Sequence, residues 1–145
     1  MPIAELCTAQ VIIAERDETV LAAAKLMRQH NVGTVVVIEK HGSRRKPIGI
    51  VTDRDLVMEI IAEEVDPSFI RVGDIMAPEL ASIDDNCGIF EAIRYMRHQA
   101  VRRLPVVDES GSLIGIVSVD DLLAVLADEL SALGQLVRNE QRDDL

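Results

Sequence analysis

The second half of this chain repeats the first. The stretch Ile48-Gly49-Ile50-Val51-Thr52-Asp53-Arg54-Asp55-Leu56-Val57 returns as Ile114-Gly115-Ile116-Val117-Ser118-Val119-Asp120-Asp121-Leu122-Leu123, with six of ten positions identical. Upstream the match continues at an offset of 69, where Ile3-Ala4-Glu5-Leu6 aligns with Val72-Gly73-Asp74-Ile75, Met27-Arg28 with Met96-Arg97, Val32 with Val101 and Val37 with Val106. The offset falls to 66 past the middle of each copy, because the loop Asp108 to Leu113 is three residues shorter than its counterpart. Such a duplication implies two copies of one supersecondary unit stacked on a common core. The expected domain organisation is residues 1–71 and residues 72–145.

Within each copy the apolar pattern changes period in a fixed order. A short strand around Val11 to Ile13 precedes a helix in which Val20, Ala23, Ala24 and Met27 recur at helical spacing, with Asp17 as the expected N-cap and Asn31-Val32-Gly33 as the stop. The β-branched run Thr34 to Ile38 reads as a buried strand. A polar loop from Glu39 to Pro47 should form the long tip of a hairpin returning through Ile48 to Val51, and a helix from Asp53 to Glu64 should close the copy. The second copy supplies a strand at 81–83, a helix at 87–99, strands at 104–108 and 113–118, and a longer final helix from Asp120 to Arg142. Leu122, Leu126, Leu130, Leu133 and Val137 form a stripe on that helix, whose far end is expected to meet another subunit.

Composition narrows the chemistry. A net charge of -10 opposes nonspecific nucleic-acid binding, which draws on Lys and Arg against phosphates. With no Trp and only Phe69, Phe90 and Tyr95, an aromatic platform for bases is not expected. Cys7 and Cys87 are far apart and no His cluster stands at ligand spacing, so neither a metal site nor a redox motif is expected. His30, His41 and His98 lack a convergent nucleophile, so no catalysis is assigned. With no apolar leader or membrane-length run, the expected location is cytoplasmic.

Strand-helix-strand-strand-helix given twice, with G-h-h-[TS]-x-x-D at each last junction, resembles the tandem CBS domain, or Bateman module, of the stand-alone type. Val72-Gly73-Asp74-Ile75-Met76 and Arg102-Arg103-Leu104-Pro105-Val106-Val107-Asp108 carry the resemblance further, over almost the whole chain. It implies an α+β fold of two pseudo-symmetric βαββα repeats packed through their sheets. It also implies a non-catalytic regulatory sensor for an adenosine-containing ligand (AMP, ADP or ATP first, S-adenosylmethionine or an NAD-type molecule next), bound between the repeats. A homodimer and an unknown regulated protein partner follow from the same resemblance, with no required cofactor. The alternative is a ligand-independent interaction scaffold.

Each candidate residue has two readings. Thr52 with Asp55, and Ser118 with Asp121, have capping-box spacing, while the family pattern gives the Asp carboxylates to ribose hydroxyls. Arg54 beside the first junction, and Arg102 with Arg103 before the second hairpin, are either solvated or converge on one ligand phosphate. The position matching Arg54 is Asp120, so the two sites should be unequal. Adenine is expected against Val35, Val36, Val37, Leu104 and Pro105, which also read as plain core strand. The Arg44-Arg45-Lys46 tip reads as a solvated loop.

Overall fold

The computed structural model describes residues 1–77 and 80–143. After a short 3-10 turn at Ile3–Glu5, the first repeat runs β1 (Ile13–Glu15), α1 (Val20–His30), β2 (Thr34–His41), β3 (Arg44–Thr52) and α2 (Asp53–Leu56). The second runs α3 (Val72–Ile75), β4 (Ile83–Asp84), α4 (Ile89–Gln99), β5 (Arg103–Val107), β6 (Leu113–Ser118) and α5 (Val119–Asp143). Each repeat makes a three-stranded sheet, ordered β1-β2-β3 and β4-β5-β6. The central strand lies parallel to the first and antiparallel to the last in both. The expected α+β architecture of two βαββα units is therefore present.

Local chemistry explains most boundaries. Thr19, not Asp17, caps α1, its hydroxyl accepting from the Ala22 amide at 3.1 Å. Asn31 closes the helix in the left-handed region, at φ 53. The helix after Thr52 is regular only to Leu56, then widens into a π turn over Val57–Ile61 in which Ile60 alone is buried. It does not continue as α-helix to Glu64, which stands at φ 56 after the turn.

The first hairpin departs from its expected shape. β2 and β3 pair out to His41 opposite Arg44, so Glu39 to Pro47 is mostly strand and only Gly42 and Ser43 turn the chain. Gly42, at φ +65, supplies the left-handed step of a tight turn, and a strand exposed on both faces needs no apolar alternation. The tip is braced on the second repeat: Arg44 Nη1 donates to the Ser110 carbonyl at 2.9 Å, and the Arg45 amide donates to Ser112 Oγ at 3.1 Å.

Strand periodicity divides the core into three layers. Val35, Val37 and Val51 face α1 and α2 with Val20, Ala23, Met27 and Ile60. Leu104, Val106 and Val117 face α4 and α5 with Ala92, Met96 and Leu122. Val36, Ile38 and Leu113, flanked by Val11, Ile13, Ile50 and Ile116, join the two sheets.

The lead-ins of the two repeats are exchanged. Ile3 is fully buried in the second repeat's core, and its amide donates to the Cys87 carbonyl at 2.8 Å. Val72, its counterpart, is buried in the first repeat's core, its amide donating to the Glu18 carbonyl at 2.9 Å. The boundary at 71/72 marks the sequence repeat, while each packed unit borrows its opening residues from the other copy.

This exchange accounts for the glycine of each G-h-h-[TS] motif. A Cβ on Gly49 would lie 2.5 Å from Met76 Sδ, and one on Gly115 would lie 2.6 Å from Cys7 Sγ and 2.9 Å from the Thr8 carbonyl. Both glycines are needed for space, since the crossing lead-in presses on the strand there.

Candidate functional site

Two clefts open where the repeats meet, and the duplication relates their walls. The smaller, of about 360 Å³, is lined by Val11, Ile12 and the Asn31 to Thr34 turn of the first repeat and by Ile116, Ser118 and Asp121 of the second, with Thr8, Gln10 and Arg103. The larger, of about 540 Å³, is lined by Leu80, Ala81, Val101, Arg102, Arg103 and Leu104 of the second repeat and by Ile50 and Thr52 of the first, with Ala77, Tyr95 and Gln99. The offsets of 69 and 66 carry Val11-Ile12 onto Leu80-Ala81, Gly33-Thr34 onto Arg102-Arg103 and Ser118 onto Thr52. Each cleft thus joins one repeat's hydroxyl junction to the other repeat's strand edge, at a volume that suits a small ligand.

The junctions form both halves of a capping box. Asp55 Oδ2 accepts from the Thr52 amide at 2.8 Å while Thr52 Oγ1 accepts from the Asp55 amide at 3.3 Å. Asp121 Oδ2 and Ser118 Oγ make the same pair at 3.0 and 3.2 Å. One carboxylate oxygen of each Asp caps the helix, which leaves the other chemically able to accept from a ligand; of the two, Asp121 lines a cleft and Asp55 lines neither. The cap and the ribose roles are therefore compatible at the same side chain.

Other expected residues separate. Thr52, Arg102, Arg103 and Leu104 share the larger cleft, and Ser118 and Asp121 share the smaller. Arg54 lines neither; it is exposed on α2 and does not join Arg102 and Arg103. Val35, Val36 and Val37 are 0% exposed and line neither cleft, and Pro105 is likewise fully buried. Central strands have neighbours on both edges, which places these four residues in the core. Val36 illustrates the reason, its amide being taken by the Ile12 carbonyl at 2.9 Å.

Pro105 nonetheless shapes the larger cleft from beneath. It occupies the place of Val36 and has no amide to donate, so β4 pairs with β5 only from Ile83 opposite Val106 onward. The strand edge beside Arg103 and Leu104 stays open.

Several wall residues have no sequence motif. Tyr95 and Gln99 reach the larger cleft from α4, so one aromatic ring does line a candidate site. Gly33 was legible only as a helix stop, yet a Cβ there would lie 2.7 Å from Asp53 Oδ2. The corresponding residue in the other cleft is Arg102, within 3.9 Å of Asp120 across an exposed pair.

The charge of the walls is unequal. Arg102 and Arg103 make the larger cleft cationic, whereas the smaller holds Asp121 against Arg103 alone. Burial pushes the Cys87 thiol up to about 11, helped by a hydrogen bond to Glu91, and burial also raises Cys7. Both cysteines are thus held as thiols and not as nucleophilic thiolates. No group of three or more metal-ligating side chains occurs among the described residues, and no helix there is long and apolar enough to cross a membrane.

Comparison with known proteins agrees with this architecture. The CBS domain family model matches residues 3–62 and again residues 72–128. An uncharacterized protein of Methanopyrus kandleri is 35% identical over 123 residues, covering 85% of this chain; the chain spans 61% of that protein's length. The CBS domain-containing protein YhcV of Bacillus subtilis is 36% identical over 115 residues, 79% of this chain and 78% of that one. Among solved structures, Hypoxic Response Protein I with two coordinated zinc ions aligns with a TM-score of 0.72 at 31% identity, over 86% of this chain and 98% of that chain. A CBS domain pair in complex with 5'-methylthioadenosine and S-adenosylmethionine shares the fold at 21% identity, with a TM-score of 0.72 over 87% of this chain and 99% of that chain.

Proposed function

This chain belongs to the CBS domain family, with two repeats, and on that premise we propose that it is a regulatory module that binds an adenosine-containing nucleotide between those repeats. The observation that carries the reading is the pair of duplication-related clefts, each reaching the hydroxyl of a G-h-h-[TS]-x-x-D junction, with the Asp121 carboxylate in the wall of the smaller. In the larger cleft Arg102 and Arg103 suit the phosphates of AMP, ADP or ATP, and Thr52 in its wall, whose amide is held by Asp55 Oδ2, marks the corner for a ribose. The smaller cleft, with Asp121 and a single arginine, should take the same nucleotides more weakly and tolerate a less anionic adenosine compound better. A bound ligand touches both repeats, so it favours one relative orientation by its differential affinity for the two. That orientation is the signal a partner reads.

Calorimetric titration of nucleotide-stripped protein with ADP and with S-adenosylmethionine tests this directly. Binding of ADP that is weakened about tenfold by Asp55→Ala supports the larger cleft as its site. Absence of heat with either compound rejects the reading.

A second reading, an interaction scaffold, is favoured by one feature of α5. Leu130, Leu133, Leu136 and Val137 are exposed at 70, 60, 56 and 52%. They continue an apolar groove of about 390 Å³ between α4 and α5, lined by Ile93, Val119, Leu122, Leu123 and Leu126. A second copy of this chain is the proposed occupant, giving a homodimer. The homodimer is compatible with either reading, whereas the scaffold reading, being ligand-independent, replaces the first if no nucleotide binds.

A further inference from the structure

Arg103 is the one residue that lines both clefts. It is exposed at the start of β5, where its register partner is Ser118. Its counterpart Thr34, register partner of Thr52, lines only the smaller cleft, since a threonine side chain is too short to serve two sites. Among the lining residues Arg103 is the sole cation of the smaller cleft, where Asp121 opposes an anionic ligand. In the larger cleft it stands next to Arg102, whose guanidinium lies 3.9 Å from Asp120.

Resting on the nucleotide reading above, we propose that Arg103 couples the two clefts: its single guanidinium serves the phosphate of whichever cleft is filled first, so that a second phosphorylated ligand binds without it. One guanidinium makes its bidentate bonds to one phosphate at a time. Occupancy of either cleft therefore lowers the affinity of the other for an anionic ligand, and by linkage the effect is reciprocal. An uncharged adenosine makes no demand on Arg103 and feels no such penalty.

The test is calorimetric titration of the full chain with ADP and with adenosine, in wild type, Asp55→Ala and Asp121→Ala backgrounds, each with and without Arg103→Ala. The Asp55→Ala chain reports mainly the smaller cleft and the Asp121→Ala chain mainly the larger. Coupling predicts that Arg103→Ala weakens the remaining ADP step in both backgrounds, by about tenfold. In the otherwise wild-type chain it weakens the first ADP step and leaves the second within about twofold. Adenosine binding should be insensitive to Arg103 throughout. Loss of ADP affinity in only one background means that Arg103 belongs to one cleft, and the coupling is rejected while the nucleotide reading stands. If neither ADP nor adenosine binds the wild-type chain, both fall. Circular dichroism of each variant confirms that the comparison is between folded proteins.

Discussion

Ala100 occupies a backbone conformation that its side chain disfavours. It ends α4 at φ 55, the position Asn31 holds at φ 53 at the end of α1. Asn tolerates the left-handed region through local hydrogen bonding, but Ala carries its Cβ cost, about 1 kcal/mol, with no compensation. Ala100→Gly is therefore expected to stabilise the fold by about 1 kcal/mol, less the entropy of a freer unfolded chain, and Ala100→Asn by a smaller amount. Denaturant unfolding measures both, and a destabilised Gly variant would mean that packing of the Ala100 methyl in the α4–α5 groove outweighs the strain. Residues of this kind show where reading the sequence stops. The Thr52–Asp55 and Ser118–Asp121 pairs were legible because capping chemistry is local, three residues apart. Tyr95 and Gln99 were not, because their place in a cleft depends on how α4 meets the other repeat.

Element boundaries followed local rules where the chemistry was local and missed where distant chain intervened. The polar Arg44, Arg45 and Lys46 predict a loop at the hairpin tip, yet the ladder continues to His41 opposite Arg44 and is braced by Ser110 and Ser112. In α5 the helical stripe was legible along its whole length, but its two halves have different surroundings. Leu122 is 3% exposed, whereas Leu130 is 70% exposed. Leu123, Leu126, Leu130, Leu133 and Val137 alternate by three and four, the spacing of a helix that packs on another helix. A segment of this length gains little helicity from propensity alone and needs a packed face. Ending the chain at Leu130 is expected to leave the two-repeat body folded, with unfolding free energy changed by less than about 1 kcal/mol, and to reduce self-association. Sedimentation equilibrium decides: an unchanged mass on truncation would place any dimer contact on another face.

At the scale of the molecule, duplication set the architecture but concealed the exchange of lead-ins between the repeats. Aligning Ile3 with Val72 identifies equivalent positions; it cannot say that each is buried in the opposite repeat. That depends on Gly49 and Gly115, whose missing side chains let Met76 and Cys7 cross the strands. The consequence is an inverted map of damage. Ile3 stands in the first copy and is 0% exposed, so Ile3→Ala should cost about 2–5 kcal/mol through lost burial and an unfilled cavity. The loss falls on Leu104, Val106 and Val117, which share its cluster, and not on Val35, Val37 and Val51. Val72→Ala is expected to do the reverse. Native-state hydrogen exchange resolves the two cases: Ile3→Ala should speed exchange most in β5 and β6, and Val72→Ala most in β2 and β3. Faster exchange confined to the repeat that carries the substitution in sequence would show that the lead-ins are not exchanged. Because each repeat supplies part of the other's core, the clefts between them cannot open by simple separation. Relative motion of the repeats is thereby confined to small rotations about the joined sheets, where Val36, Ile38 and Leu113 form the contact layer.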